Sequence, residues 1–450
     1  MRTVDDPVEL EAQEAPPELA EDFTAHADAV LAAVPPAIMA QSLAEYFHGW
    51  VVRLKNGESG ILPVLAGLVI IGAVFWVISP GHVFISASNL VNLFQQSAVF
   101  MVLGMGEIFV LLLGEIDLSL GYNAGVAGVI AVQFVEPQTR GWFWLFAIVV
   151  ALLSVSVIGA AQGALVAYLK LPSFIVTLAG YLILNGMMLI LLLLGPFSGY
   201  PSLLGSDNNL QTIYNLMWGN INPTASWIAL AGVVVAVGGI MWLRDDQRRR
   251  SGLTAPPPSL TLIKIAIMAI VGVVVVAICN TNRGVGIVEV KGVPWVIPIV
   301  LGLLLGSMIL LEQTRFGRYL YAIGGNAEAA RRAGINLGVI RTWAFALCAF
   351  TGGVAGLLYV SYLGGASNNI NGGQLVLYAV AAAVIGGTSL FGGRGRIMHG
   401  VLGGLVIGGI YNGMYLQGLS VQWTFIVTGF VLIAAVMIDA LSRRGTVGRV

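Results

Sequence analysis

Two carboxylates stand where lipid is expected. The run Val110–Gly121 reads VLLLGEIDLSLG, with Glu115 and Asp117 between strongly apolar stretches. An ionised carboxylate at the middle of a bilayer costs roughly 2.5–3.5 kcal/mol on insertion scales. Such residues therefore face a cavity or a partner rather than lipid. Two kinds of chemistry fit: lining the path of a polar solute together with Ser119, or carrying a proton or cation. A third reading is architectural. Asp117 would cap a helix starting at Leu118, and the flanking Gly114 and Gly121 would permit a break at a membrane face.

Neutral amides form the second group. Gly364–Gln374 reads GGASNNINGGQ and carries no charge. Asn368, Asn369 and Asn371 suit a mouth that hydrogen-bonds a hydroxylated solute, and equally an ordinary Gly/Asn-rich turn. Asn412 sits with Tyr411 and Tyr415 on a later apolar segment as a further candidate for a pathway lining, although tyrosines near span ends also serve as interface anchors. Enzymatic chemistry has no comparable foothold. His26, His48, His82 and His399 are scattered, with no HExxH and no Cys/His spacing for zinc. Neither a catalytic residue nor a metal site is expected. Cys279 and Cys348 lie in apolar runs and indicate no disulfide framework.

The third group is a short helix with complete punctuation inside residues 313–337, QTRFGRYLYAIGGNAEAARRAGINL. Asn326 is a good N-cap. Glu328 falls in the first turn and Arg331 and Arg332 in the last, as the helix dipole favours. Gly334 supplies the C′ position. The helix is too short to span a membrane. It is shaped to lie across the surface and dock into something, or to lie there without a partner.

The rest of the chain must hold these groups in a membrane. Of 450 residues, 57% are hydrophobic and 10% charged, and the mean hydropathy is +0.88. An ordinary soluble domain carries about 25% charged residues, so a disordered chain or a soluble nucleic-acid binder is excluded. The 58 glycines suit a bundle whose helix backbones approach closely. A span needs about 20 mostly apolar residues. Candidates lie at 61–79, 95–113, 117–135, 143–168, 173–195, 225–243, 259–279, 293–312, 340–363, 373–391, 397–416 and 421–441. Several are interrupted by Gly, Asn or Asp, which gives ten to twelve. The expected fold is an all-α polytopic membrane protein with two repeat-like halves and broken helices.

Charge sets the orientation. The formal net charge is zero, yet residues 1–50 hold ten acids and one base, and the remainder is correspondingly basic. With the N-terminus inside, sixteen Lys and Arg fall in cytoplasmic connections and only Arg140, Arg283 and Lys291 outside. That asymmetry predicts both termini in the cytoplasm. The segments then read as follows: an acidic flexible extension over 1–35, an interfacial amphipathic helix over 36–58 and a first membrane half over 59–243. A charged, Pro-rich cytoplasmic loop over 244–258 follows, then a second half over 259–442 containing the 313–337 loop, and a basic tail over 443–450.

A second break, Ile385–Gly393 (IGGTSLFGG), has the same order as the first: Gly, polar residues, Leu, Gly. Corresponding breaks in two halves point to an internal repeat around a central pathway. The stretch TRFGRYLYAIGGNAEAARRAGI, followed by VIGGTSLFGGRG and preceded by LGEIDLSLG, resembles the permease subunit of monosaccharide ABC importers over residues 60–442. Within that family the charged connection around RDDQRRR and the span after it look most like the xylose permeases. Glu115 stands where members more often carry Gly, and the acidic extension is outside the pattern.

The resemblance implies a transport subunit in the bacterial inner membrane that makes and breaks no bond. It implies a dimer of permeases surrounded by membrane lipid, a cytoplasmic ATP-binding subunit, a periplasmic sugar-binding protein and no nucleic acid. It makes the short helix the coupling element, carried by Gly325, Asn326, Glu328, Ala329, Arg332 and Gly334. In such a permease the residues singled out above, Glu115, Asp117, Ser119, Asn368, Asn369, Asn371 and Asn412, are the candidates for the pathway. A P-loop needs Gly-Lys-Ser/Thr, and no Gly-Lys pair occurs in the chain. No cofactor of its own is therefore expected, with ATP bound by the partner subunit. Two other readings stay open: an ion-coupled secondary transporter using Glu115 and Asp117, and an ABC permease for branched-chain amino acids.

Overall fold

The computed structural model describes residues 62–193, 201–252, 255–284 and 288–447. The acidic extension over 1–35 and the expected interfacial helix over 36–58 lie outside the described residues, as do Gly448, Arg449 and Val450.

The described chain is nearly all helix. α1 (Leu62–Ile78) passes through a 3-10 turn (Pro80–Ile85) into α2 (Ala87–Leu111). There follow α3 (Leu120–Val135), α4 (Trp144–Tyr168), α5 (Ser173–Leu193), α6 (Asn208–Trp218), α7 (Pro223–Arg250) and α8 (Pro258–Asn280). Next come α9 (Val296–Gln313), α10 (Arg315–Gly325), α11 (Ala327–Arg332), α12 (Leu337–Leu363), α13 (Gly372–Ile385), α14 (Ile397–Leu416) and α15 (Val421–Val447). The two two-residue strands, β1 (Asn220–Ile221) and β2 (Val293–Pro294), pair antiparallel, Asn220 opposite Pro294.

Among the described residues, eight helices are long and apolar enough to cross a membrane: α2, α4, α5, α7, α8, α9, α12 and α14. α1, α3, α13 and part of α15 are shorter apolar helices. Each of the twelve predicted spans thus meets an apolar helix, and the all-α polytopic membrane fold is the one observed. The short ones have local causes. α3 begins three residues later than its predicted span, because Gly114–Ser119 turns back on itself. α13 stops at Ile385, and the chain continues through the Gly-rich break. α7 carries the charged stretch helically to Arg250. Asp246 and Arg250 pair there at 2.7 Å with i,i+4 spacing, which favours helix over loop.

The chain divides into two compact units. One contains Ala231–Val271. In it Thr261 Oγ1 donates to Asp245 Oδ2 (2.7 Å), and Arg249 Nη1 donates to Pro256 O (2.9 Å). The other contains all remaining described residues. Its core is built on α2, which is enclosed along most of its length, together with α12 and α14. Small residues let these backbones touch. Gly400, Gly404 and Gly408 recur every fourth residue of α14. Added Cβ atoms there would strike Gly104 and Met105, Met101, and Ser97 of α2, respectively. This is the small-residue packing that membrane helices use where no hydrophobic effect drives them together. Less of α4, α5 and α9 is buried, and each shows large exposed apolar side chains such as Phe146, Ile183 and Leu301, as suits lipid-facing helices.

Candidate functional site

The first predicted break is a tightly bonded turn. Asp117 and Ser119 are fully buried. Asp117 N–H donates to Oε1 of Glu107 on α2 (3.1 Å), and Asp117 Oδ1 accepts from Ser119 N–H (2.9 Å). Ser119 Oγ lies 2.6 Å from Asp117 Oδ1 and 2.9 Å from Gln162 Oε1 on α4, and accepts from Asn123 Nδ2 (3.1 Å). A hydroxyl has one hydrogen to give, so it serves one of those two acceptors. The architectural reading of Asp117 is close to what is seen. The helix starts at Leu120, and Asp117 closes the turn before it. Glu115 is partly buried and faces Arg341 in the first turns of α12, at 3.6 Å.

The second break and the short helix arrive at the same place. Gly393 N–H donates to Leu112 O (2.9 Å). Gly392, with φ of 83°, lies so close that a Cβ on it would sit 2.9 Å from Gly114 N and 3.1 Å from Gly324 O. A Cβ on Gly324 would collide with Leu112 O and lie 2.6 Å from Gly393 N. Tyr321 Oη donates to Gly395 O (2.7 Å). The motifs LGEIDLSLG, GGNAEAARRAG and IGGTSLFGGRG, far apart in sequence, therefore meet backbone against backbone. No side chain could be interposed at the contact. Beyond it, Thr388 Oγ1 and Arg396 N lie 3.3 Å from His399 Nδ1.

α11 follows directly and has the punctuation read from the sequence. Asn326 Oδ1 accepts from Ala329 N–H (2.9 Å), and Gly334 has φ of 82°. Glu328 pairs with Arg331 (2.8 Å) and Arg332 (3.2 Å). Those two guanidinium groups hold its carboxyl below the usual glutamate range. All three side chains are exposed, and a Cβ on Gly325 would touch nothing within 4 Å. Only Ala330 of this helix is buried.

A separate cavity of about 120 Å³ lies between α2, α12, α13 and α14. Its walls are aromatic and amide: Phe100, Tyr359, Tyr362, Tyr378 and Tyr411, with Gln96, Asn371 and Gln374. Among the described residues, no charged side chain lines it. The rings are braced edge-on, Phe100 against Tyr378 at 5.1 Å and against Tyr411 at 6.2 Å. Trp218, at the end of α6, stacks on Tyr362 at 5.6 Å. Gln374 Nε2 donates to Tyr378 Oη (3.0 Å), and Asn371 Oδ1 caps α13 through Gln374 N–H (3.0 Å).

The predicted pathway residues are therefore distributed over three places. Asn371 and Tyr411 line the cavity. Asn412 is fully buried behind its wall, bonded to Asn89 and Gln96. Asn368 and Asn369 are exposed on the turn before α13, and Tyr415 is exposed on α14. Glu115, Asp117 and Ser119 belong to the junction, not to the cavity. Sequence reasoning missed Glu107, the one acid inside the apolar run 98–113 and fully buried. A lone acid in such a run was a usable signal. It also missed Gln96, Gln374, Tyr359, Tyr362 and Tyr378, which no single segment groups together.

Residues 89–436 match the family model described as branched-chain amino acid transport system / permease component. The chain is 33% identical over 394 residues to the xylose transport system permease protein of Escherichia coli K12, covering 87% of this chain and 94% of that one. It is 31% identical to the xylose transport system permease protein of Haemophilus influenzae (87% and 99% covered). It is 28% identical to the ribose import permease protein of Escherichia coli K12 (88% and 96% covered). No solved structure matches.

Proposed function

We propose that this chain forms the membrane pathway for a pentose, and the premise is its family: the chain belongs to the sugar ABC permeases, within the branched-chain amino acid transport system / permease component family. The substrate is D-xylose or a close relative, the sugar named in its xylose permease relatives. The observation that carries this choice is the cavity. Aromatic faces suit the C–H faces of a sugar ring, and neutral amides and phenols suit its hydroxyls. An amino acid would bring two charges into a wall that offers none, and unpaired buried charge is costly.

In this reading the permease is a multi-pass inner-membrane protein with both termini cytoplasmic, working as a pair of identical chains. A periplasmic binding protein delivers the sugar, and a separate subunit binds and hydrolyses ATP. α11 is the docking helix, presenting Glu328 and Arg332 to that subunit. Its motion reaches both helix breaks through the contact of Gly324 with Leu112 and Gly393. The cavity then alternates between the two sides of the membrane.

The test is uptake into proteoliposomes containing the permease, its ATP-binding subunit and its binding protein. Labelled D-xylose is expected to accumulate only with ATP inside. Accumulation of leucine but not xylose would establish the amino-acid alternative. Xylose uptake that needs an ion gradient and no ATP would establish the secondary-transport one. The exchange Glu328→Arg with Arg332→Glu is expected to abolish ATP-driven uptake, and full retention would remove α11 from the coupling role.

A further inference from the structure

Behind the cavity, three amides from two helices form a chain whose orientation is fixed from one end. Asn89 Nδ2 lies 2.9 Å from Phe84 O. A carbonyl oxygen can only accept, so the Asn89 atom facing it must be nitrogen. Asn89 and Asn412 then face each other reciprocally: Asn89 Nδ2 donates to Asn412 Oδ1 (2.9 Å), and Asn412 Nδ2 donates to Asn89 Oδ1 (3.1 Å). The same Asn412 Nδ2 donates to Gln96 Oε1 (3.1 Å). The atom of Gln96 turned to Asn412 must therefore be its oxygen. All three residues are buried, and Gln96 lines the cavity. Its remaining group, the Nε2 amine, has a long contact to Asn92 Oδ1 (3.4 Å) and otherwise faces the hydroxyl of Tyr362 on the cavity wall, a place that a sugar hydroxyl would take.

We propose that Asn412 is a positioning residue for sugar recognition: it commits the oxygen of Gln96, so that the cavity meets a sugar hydroxyl with the amine of Gln96 as donor. The inference rests on the reading of the cavity as the sugar's passage. It gives Asn412, which touches no solute, a part in selectivity that a helix-to-helix bond alone would not have. The orientation is not open to chance. Reversing Gln96 would set two amines face to face at Asn412, and Asn412 cannot reverse without setting two oxygens and two amines face to face at Asn89.

The experiment uses the complete transporter in proteoliposomes, with D-xylose and its singly deoxygenated analogues as probes. Turnover is read at saturating loaded binding protein and per folded permease. Asn412→Asp can no longer donate to Gln96, so the amide turns its amine to residue 412 and presents its oxygen to the cavity. Turnover of D-xylose is expected to fall roughly three- to tenfold, the scale of one hydrogen bond. The preference for D-xylose over the analogue lacking the contacted hydroxyl is expected to collapse. Gln96→Leu is expected to do the same, and Asn412→Asp added to Gln96→Leu to do nothing more.

Ser97→Ala is the structural control. It loses a buried bond on the same helix, Ser97 Oγ to Leu93 O (2.6 Å), yet leaves the bonds among Asn89, Asn412 and Gln96 as they are. It is expected to keep the wild-type preference. Additive effects in the double variant, or a Ser97→Ala variant as unselective as Asn412→Asp, would overturn the positioning role while leaving the cavity reading intact. If Gln96→Leu and Tyr378→Ala both leave turnover and selectivity unchanged, the cavity reading fails, and this inference with it.

Discussion

The cavity and the glycine junction are opposite solutions within one bundle. In the cavity, large side chains from four helices meet and leave a space: Tyr359, Tyr362, Tyr378 and Tyr411 stand around about 120 Å³. At the junction, side chains are excluded, and Gly114, Gly324, Gly392 and Gly393 bring three main-chain segments into direct contact. Recognition by side chains is graded, because each ring or amide contributes a share and a neighbour can adjust. Contact between backbones has no such latitude. A single Cβ has no rotamer by which to move aside, so the region that would transmit motion must be the less tolerant of the two.

The sharpest way to break that contrast is to add one carbon. Gly324→Ala drives its Cβ into Leu112 O and towards Gly393 N, both main chain. Overpacking of this kind costs about 1–3 kcal/mol or more, and here it strikes the contact through which α11 would act. Sugar uptake is expected to fall by more than about tenfold. Gly325→Ala, one residue on, meets nothing within 4 Å and is expected to leave the melting temperature of the purified permease unchanged. Equal melting temperatures and equal uptake for the two variants would show the junction to be as forgiving as the cavity.

Removing a polar brace at the first break comes next. Asp117→Ala leaves Ser119 N–H without its acceptor in a site with no exposure. A stranded buried donor costs about 1–3 kcal/mol. The variant is expected to show a lower melting temperature in detergent and a loss of uptake in proportion to the folded fraction. Asp117→Asn retains an oxygen for Ser119 and is expected to lose much less. An Asp117→Ala protein as stable as the parent would mean that the turn is held by glycine geometry alone. The cavity responds on a smaller scale. Tyr378→Phe removes only the hydroxyl that accepts from Gln374 Nε2 (3.0 Å), a bond worth about 0.5–1.5 kcal/mol net. Uptake is expected to fall a few-fold, with a smaller drop in melting temperature than that of Asp117→Ala.

The same contrast explains what could be read from the chain in advance. Twelve apolar segments were legible, because hydropathy and length are local properties, and so was α11, because Asn326, Glu328, Arg332 and Gly334 lie within a few residues of one another. The two breaks were legible for the same reason. What was not legible is that they touch. The bond from Gly393 N to Leu112 O joins residues that share no local pattern. The cavity was harder still: Gln96, Tyr359, Gln374 and Tyr411 come from four helices, and a tyrosine in an apolar run looks like an interface anchor from sequence alone. Glu115 and Asp117 drew attention by adjacency, yet the more buried partner of Asp117 is Glu107, ten residues earlier on α2. A broken helix folds back on the helix before it, and the acid it meets there is invisible to a reading that moves forward one motif at a time.

The smallest expected effect belongs to α11, where the junction's backbone rigidity gives way to an exposed side-chain cluster. Arg331 and Arg332 hold Glu328 below the usual glutamate range through hydrogen bonds to its carboxylate. A carboxyl whose folded pKa is depressed stabilises the fold fully above its unfolded value, about 4.3 for glutamate. That contribution is lost as pH falls through the lower folded value. Nothing is therefore expected to change in α11 between pH 7 and pH 6. Below about pH 4, the protection of the Ala330–Ala333 amides against hydrogen exchange, taken relative to the intrinsic rate at the same pH, is expected to fall while the amides around Gly324 stay protected. Glu328→Gln should reproduce the lower protection at pH 7, and added salt should narrow its difference from the parent, because these pairs face solvent. If acid instead released Gly324 and α11 together, the docking helix and the junction would be one cooperative unit, and the division between backbone-built and side-chain-built regions would have to be drawn on the far side of α11.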